Sequence, residues 1–140
     1  MLHHRYSREI ELERHVALRL AEEFEIDLYA AHVEQDTQDV DLLVELGDLY
    51  TRAGRVEEGI EIDKKLVNVC PEEPVFHYNL ACSQSLLGQT DLALGSLRSA
   101  IEFGYRNLDL LETDADLQAV REDPRFPELI ESIFRKFEPE

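Results

Sequence analysis

Acidic side chains are the most abundant groups in this sequence that could carry chemistry. General acid–base catalysis uses carboxyl groups held in distinct environments, and adjacent acids occur at Glu22-Glu23 and Glu57-Glu58. With 31 Asp and Glu among 140 residues, such pairs arise by chance and are expected on solvated helix faces. They predict no catalytic site.

Histidines and cysteines are the other candidates for a base, a nucleophile or a metal ligand. His3, His4 and His15 could bind a metal adventitiously, but their position near the start of the chain favours surface side chains. Cys70 and Cys82 form no metal or redox motif, so we expect reduced, half-buried thiols. The sequence also contains no Gly-rich phosphate loop, His-Glu-x-x-His or Gly-x-Ser-x-Gly pattern. We therefore expect no enzyme activity, no metal and no cofactor.

The formal net charge of −17 is spread along the chain. Residues 1–39 carry ten acids and four bases, residues 40–104 eleven and five, and residues 105–140 ten and five. This pattern allows either a solvated surface or the recognition of a basic partner. Nucleic acid is disfavoured as a partner because the 14 bases form no stripe.

The sequence also lacks the signals of a membrane or exported protein. No run of 18 apolar residues occurs, so no transmembrane helix is expected. The start of the chain, residues 1–5, leads directly into charged residues and lacks the apolar core of a signal peptide. We expect a cytoplasmic protein that does not bind membranes.

Residues 43–104 contain one pattern twice, at a constant offset of 34 positions. Leu46 recurs as Leu80, and Gly54 recurs as Gly88. Small residues align with small residues and apolar with apolar at the same offset: Gly47 with Ala81, Gly59 with Ala93, Ile60 with Leu94, Val67 with Ile101 and Val69 with Phe103. A period of this length is typical of repeat proteins built from helix pairs.

Each unit is predicted to be a helix–turn–helix. The first helix should end before a glycine that can adopt the left-handed conformation, Gly54 or Gly88. Pro71 should end the second helix of the first unit. The four helices are expected near residues 40–53, 56–69, 74–87 and 90–103.

A long helix is predicted before the repeats. From Ser7, the expected N-cap, to Glu34 there is no Gly or Pro. Apolar residues recur at every fourth position of this segment: Leu12, Val16, Leu20, Phe24 and Leu28, with Ala17, Ala21 and Ala31 beside them. This is the pattern of an amphipathic helix, either a single rod or one bent near Glu25. Thr37 or Asp39 should cap the first repeat helix, and Thr90 the fourth.

The repeats resemble the tetratricopeptide repeat (TPR) family. The first unit carries the family pattern at Leu43, Leu46-Gly47, Tyr50, Gly59 and Pro71, and the second at His77, Leu80-Ala81, Ala93 and Ala100. Asp63 and Leu97 stand where the family has an aromatic residue. The resemblance implies an all-α fold, a superhelix of right-handed antiparallel helix pairs, in which His77 is a packing residue rather than a base.

The end of the chain is similar to the ending of many bacterial TPR proteins. It reads Asp114-Ala115-Asp116-Leu117 and then Arg121-Glu122-Asp123-Pro124-Arg125-Phe126. Such a segment caps the apolar end of a repeat stack. We expect Leu108, Leu110 and Leu111 to pack under the last repeat, a short helix at 114–121 and a last helix at 127–137. The predicted single domain comprises an N-terminal helix (7–39), repeat 1 (40–73), repeat 2 (74–107) and a cap (108–140).

The resemblance implies that function lies on the concave face, which the first helix of each pair lines. Carried over by repeat position, the partner-binding residues are Asp41, Val44, Asp48, Thr51 and Arg52 in the first unit and Val75, Tyr78, Cys82, Ser85 and Leu86 in the second. A half-exposed Tyr78 is the expected anchor, with a core-edge position as the alternative. The cationic clamp of TPR co-chaperones is missing, because Val44 and Asp48 occupy its positions and only Asn79 matches.

The leading hypothesis is therefore a non-enzymatic adaptor that binds a basic or apolar peptide or helix of another protein. One alternative is a self-assembling scaffold such as a homodimer, because apolar residues are abundant in the segment 130–137. Another is a specialised chaperone for secreted proteins, since small acidic TPR proteins perform that function.

Overall fold

The computed structural model describes residues 2–35 and 38–136, with side chains from residue 7 onward. Every regular element in these ranges is helical, which confirms the all-α prediction. The helices are α1 (Leu2–Val33), α2 (Val40–Arg52), α3 (Val56–Val69), α4 (Pro74–Leu86), α5 (Thr90–Glu102), α6 (Leu108–Thr113), a 3-10 helix (Ala115–Leu117), α7 (Gln118–Arg121) and α8 (Phe126–Arg135).

The four predicted repeat helices are confirmed to within one residue at each end. Both turns close in the same way, because Gly54 and Gly88 have φ angles of 70° and 71°. In the first turn the amide of Arg55 donates to the carbonyl of Tyr50 at 2.9 Å. The equivalent bond in the second turn joins Gln89 to Gln84, also at 2.9 Å. The offset of 34 in the sequence is thus an offset between two equivalent turns.

Gly88→Ala is expected to lower the free energy of unfolding by about 1 kcal/mol, because a Cβ atom is strained at this positive φ even though no neighbour lies within 4 Å. Gly95→Ala is the matched control, since Gly95 lies inside α5 with open space around it. There alanine should stabilise by about 0.5–1 kcal/mol through its higher helix propensity. Urea denaturation checks both values, and equal signs for the two variants would contradict this account.

The N-caps of the helices are predicted less well than the bounds of the repeat helices. Asp39 caps α2, as expected, by accepting a hydrogen bond from the amide of Leu42 at 3.2 Å, whereas the alternative Thr37 lies outside the described residues. The prediction of Thr90 as a cap is wrong, because the N-cap of α5 is Gln89, without a side-chain bond. The prediction of Ser7 is also wrong, because α1 begins at Leu2 and no Gly or Pro interrupts it.

Helix α1 is a single continuous helix of 32 residues. Among its described side chains, those of the C-terminal part pack against the rest of the chain, with Ile26 and Val33 buried and Tyr29 and Ala30 partly buried against α2. The predicted apolar row remains 48–69% exposed: Leu12, Val16, Leu20, Phe24 and Leu28. The helix thus covers one end of the repeats with a side that the period-four pattern did not indicate.

Successive helices pack on one another from α1 to α5, and the C-terminal elements pack on α4 and α5. Leu111 is completely buried and Leu108 partly buried beneath the second repeat, as predicted, but Leu110 is 41% exposed. The segment that carries these three leucines forms the short helix α6. The helices of the second repeat and those of the C-terminal cap therefore share one hydrophobic core.

Helix α8 uses most of its apolar residues inside this core. Leu129 and Ile133 are buried and Ile130 is partly buried, whereas Phe134 is 55% exposed. Phe137, the predicted end of this helix, lies outside the described residues. Of the described apolar residues in the segment 130–137, Ile130 and Ile133 therefore pack within the chain and Phe134 does not.

Candidate functional site

Four aspartates from three parts of the chain line one groove of about 320 Å³, which we call the acidic groove. Asp48 comes from α2, Asp63 from α3, and Asp114 and Asp116 from the cap. The remaining lining is apolar or neutral: Val44, Gly47, Thr51, Gly54, Val56, Gly59, Leu66, Tyr78, Asn79, Cys82, Ser83 and Leu86. Among the described residues that line it there is no Lys, Arg or His. The groove is therefore suited to a cation with an apolar neighbour.

Asp63 is the most deeply buried of these acids, with 8% of its surface exposed. Its carboxylate accepts a hydrogen bond of 2.6 Å from the hydroxyl of Ser83 on α4. Burial raises the pKa of Asp63 to about 6; the bond from Ser83 opposes this shift and the charge of Asp48 reinforces it. Asp63 is thus mostly ionised at neutral pH. Burying this charge costs free energy, and a cation in the groove would reduce that cost.

The cap is joined to α4 through Asp114. Its carboxylate accepts a 2.6 Å hydrogen bond from the hydroxyl of Tyr78, and the thiol of Cys82 lies 3.9 Å from the same oxygen. Its other oxygen accepts from the amide of Asp116 at 3.0 Å and caps the 3-10 helix. The ring of Tyr78 stacks on Tyr105 with centroids 4.4 Å apart. These bonds hold two of the four groove aspartates in place.

Arginines of the C-terminal motif hold the cap from the other side. Arg121 donates to the backbone carbonyls of Asp114 and Leu111. Arg125 forms ion pairs with Asp123 at 2.8 Å and with Asp91 on α5 at 2.6 Å, and its hydrogen bonds hold the pKa of Asp123 well below the usual range. The bases nearest the cap are therefore engaged outside the acidic groove.

Six of the ten predicted partner-binding residues lie together in the groove: Val44, Asp48, Thr51, Tyr78, Cys82 and Leu86. The other four do not line it. Asp41, Arg52 and Val75 are exposed elsewhere, and Ser85 is buried with 4% of its surface exposed. For these four residues, the repeat position predicted the helix correctly but not the direction of the side chain.

The expectation of a half-exposed Tyr78 is wrong, because only 6% of this residue is exposed. The cap covers the ring through Tyr105 and binds the hydroxyl through Asp114. Tyr78 therefore forms part of the groove wall and does not project as an anchor. Leu86, which is 49% exposed at the groove, offers the larger free apolar surface.

Sequence reasoning did not assign Asp63, Asp114 and Asp116 to a binding site. A signal existed for Asp63, because the repeat offset pairs it with Leu97, which is completely buried. An acid at a core position of the repeat indicates a buried carboxylate with a particular role. The C-terminal motif identifies Asp114 and Asp116 only as parts of a cap.

The groups with possible chemical reactivity have structural roles. His77 donates from Nε2 to the carbonyl of Pro71 at 2.7 Å and stacks on Phe103, as a packing residue should. Burial raises the pKa of the Cys82 thiol and of the Tyr78 hydroxyl, which keeps both groups protonated. Cys70 is a half-buried free thiol. In the described part of the chain no three His, Cys, Asp or Glu side chains form a metal-binding group, and the side chains of His3 and His4 lie outside it.

A wider hollow of about 670 Å³ lies between the start of α5 and the turn before α8. The ion pair between Arg125 and Asp91, both of which line this hollow, joins its two sides, so its main charges are already paired. The acidic groove keeps its charges unneutralised by any lining base, and we regard it as the better candidate site.

Comparison with known proteins yields a distant similarity. No protein-family model matches the chain. The chain is similar to a chloroplastic protein of Arabidopsis thaliana, with 29% identity over 118 residues. The similar region covers 82% of this chain and 35% of that protein, so the chain spans about a third of the length of this relative. Among the described helices, none combines the length and the apolar character needed to cross a membrane.

Proposed function

We propose that this chain is a TPR-like protein-interaction module that binds a basic, partly apolar peptide or helix of another protein in the acidic groove. The observation that carries the proposal is the convergence of Asp48, Asp63, Asp114 and Asp116 on one groove beside Leu86. A Lys or Arg side chain would enter between the aspartates, while an apolar neighbour would cover Leu86. This arrangement places the cation of the partner beside the negative groove and its apolar residue beside apolar surface.

The TPR-like interpretation is supported by the two equivalent helix pairs and by their equivalent glycine turns. In such repeats the first helix of each pair supplies the binding face, and here α2 and α4 both contribute to the groove. The cap completes the groove with Asp114 and Asp116, which a simple repeat array would lack. The resulting groove is short and should hold a short segment of the partner.

A binding role is favoured over catalysis by the state of the possible nucleophiles. The Ser83 hydroxyl donates a hydrogen bond to Asp63, and the described lining residues include no imidazole that could serve as its base. The thiol of Cys82 lies beside Asp114, whose negative charge disfavours a thiolate. The groove thus provides charge and shape but no activated nucleophile.

The test is the binding of a fluorescein-labelled amphipathic helical peptide of Lys and Leu, measured by fluorescence anisotropy at low and high salt. A matched peptide of Glu and Leu is the first control. We expect the Lys peptide to bind, the Glu peptide not to bind, and the affinity to fall as salt increases. Absence of binding by the Lys peptide, or equal binding of both peptides, would overturn the proposal.

Two charge reversals on α2 distinguish binding in the groove from general attraction to the negative charge of the chain. Asp48→Lys is expected to weaken binding of the Lys peptide by about tenfold, because it places a cation in the groove. Asp41→Lys makes the same change on the same helix outside the groove, and we expect less than about a twofold effect. Equal effects of the two variants would mean that the peptide senses only the net charge.

A further inference from the structure

Helix α1 has a long segment whose side chains are exposed to solvent. Every residue from 7 to 21 is exposed, although the segment includes Ile10, Leu12, Leu18 and Leu20 with 53–66% of their surface accessible. An isolated helix of this length is marginal in water, and large exposed apolar surfaces usually mark an interaction site. The segment is therefore a candidate interaction surface.

Seven exposed apolar residues of α1 share one face, which Glu13 interrupts between Ile10 and Ala17. At about 3.6 residues per turn, this face lies on the side of the helix opposite Ile26 and Val33, which pack against α2. The body of the chain therefore cannot cover it. We call it the free face of α1: Ile10, Ala17, Leu20, Ala21, Phe24, Leu28 and Ala31.

We propose that the free face of α1 binds the same face of a second copy of this chain, with the two helices antiparallel. The sizes of the residues support this arrangement. When the helices cross between Leu20 and Ala21, three of the four large residues lie opposite an alanine: Leu20 opposite Ala21, Phe24 opposite Ala17 and Ile10 opposite Ala31. The fourth, Leu28, lies opposite Glu13. A parallel arrangement would place Phe24 against Phe24 and alanine against alanine, which packs poorly.

The charges of α1 favour the same arrangement. Residues 7–20 carry three Arg and three Glu, whereas residues 21–33 carry four acids and no Lys or Arg. Antiparallel pairing places the acidic half of each helix beside the arginine-bearing half of the other, with Arg14 near Glu25. It also brings Glu13 near Asp27, which offsets part of this gain. Parallel pairing would place four acids beside four acids and bring two chains of net charge −17 together at one end.

Other occupants fit less well. A phospholipid surface would take the apolar face, but residues 7–20 have no net positive charge and the chain is strongly acidic, so anionic membranes should repel it. The dimer is independent of the groove, because none of the groove residues lies on α1. Asp48→Lys should therefore leave the dimer intact.

The first experiment is sedimentation equilibrium of the full chain over a range of concentrations. We expect a species of twice the 16.2 kDa chain mass. Leu20→Glu combined with Phe24→Glu should weaken dimerisation by at least about a hundredfold, because two charges enter the interface. Both residues are exposed in the single chain, so the variant should keep its helical circular dichroism spectrum.

The matched control is Leu12→Glu combined with Leu18→Glu, which makes the same change at exposed positions of α1 outside the free face. It should leave the dimer intact. A monomer at all concentrations, or equal effects of the two double variants, would overturn the proposal. Binding of the monomeric chain to neutral phospholipid vesicles, lost in Leu20→Glu with Phe24→Glu, would overturn it in favour of a lipid surface.

Cysteine cross-linking tests the direction of the helices, in a Cys70→Ser background that leaves only the buried Cys82. Ile10→Cys and Ala31→Cys chains should form a disulfide when mixed under mild oxidation, because these positions meet in the antiparallel dimer. Neither should cross-link with itself, since its own copies lie about 32 Å apart, too far for a disulfide. Self-linking of both variants would show a parallel dimer and overturn the proposed arrangement.

Discussion

Asp114→Ala is expected to lower the free energy of unfolding by about 2–4 kcal/mol, the largest effect that we expect from a residue of the groove. The substitution removes the acceptor of the buried Tyr78 hydroxyl and the cap of the 3-10 helix together. The hydroxyl then has no partner to replace its lost hydration. Urea denaturation followed by far-ultraviolet circular dichroism measures the change.

Tyr78→Phe separates the two contributions. It deletes the hydroxyl but keeps the ring that stacks on Tyr105, and Asp114 is only partly buried, so water can replace the lost donor. We expect a cost of about 1 kcal/mol for this variant. In the double variant the costs should fall short of their sum by about 1–2 kcal/mol, because the pair is in contact. Simple additivity would show that the bond between Tyr78 and Asp114 contributes nothing to stability.

Asp63→Asn is expected to stabilise the protein by about 1–3 kcal/mol at pH 8 and to have little effect near pH 4. The pKa of Asp63 is about 6 in the folded chain, above the value of about 3.9 for an unfolded aspartate. The folded state therefore holds the proton more tightly, and this contribution to stability is complete below pH 4 and lost as the pH rises through 6. Asparagine is never ionised and can still accept the bond from Ser83.

The measurement is the difference in unfolding free energy between Asp63→Asn and the unsubstituted chain as a function of pH. Asp41→Asn removes one charge at an exposed site of α2 and should give a small difference at every pH. A pH-independent difference for Asp63→Asn would contradict the raised pKa. A confirmed gain would show that the chain keeps an ionised Asp63 at the expense of stability, as expected of a binding group.

Local signals in the sequence predicted the repeat helices well. Gly54 and Gly88 end helices because the left-handed conformation closes the final turn, and this requirement depends only on nearby residues. The repeat offset then supplied the same bounds twice, so each unit supported the other. The N-caps were harder to predict, because a serine such as Ser7 caps a helix only where the residues before it are not helical.

The groove, in contrast, was decided by contacts between distant residues. Asp114 lies 36 positions from Tyr78 in the chain, and no periodicity connects a cap residue to a helix of the second repeat. For that reason the sequence predicted the helix that carries Tyr78 but not its burial under the cap. It likewise predicted Asp48 as a binding residue without the three aspartates that join it.

By itself the sequence determined the helices, their order and the acidic character of the chain, because helix hydrogen bonds and turn conformations depend on residues a few positions apart. Only the tertiary structure decided which acids share the groove and which apolar face of α1 remains uncovered. Both outcomes depend on how separate helices pack. Burial of Ile26 and Val33 turned the opposite face of α1 to solvent, and docking of the cap brought Asp114 and Asp116 to Asp63.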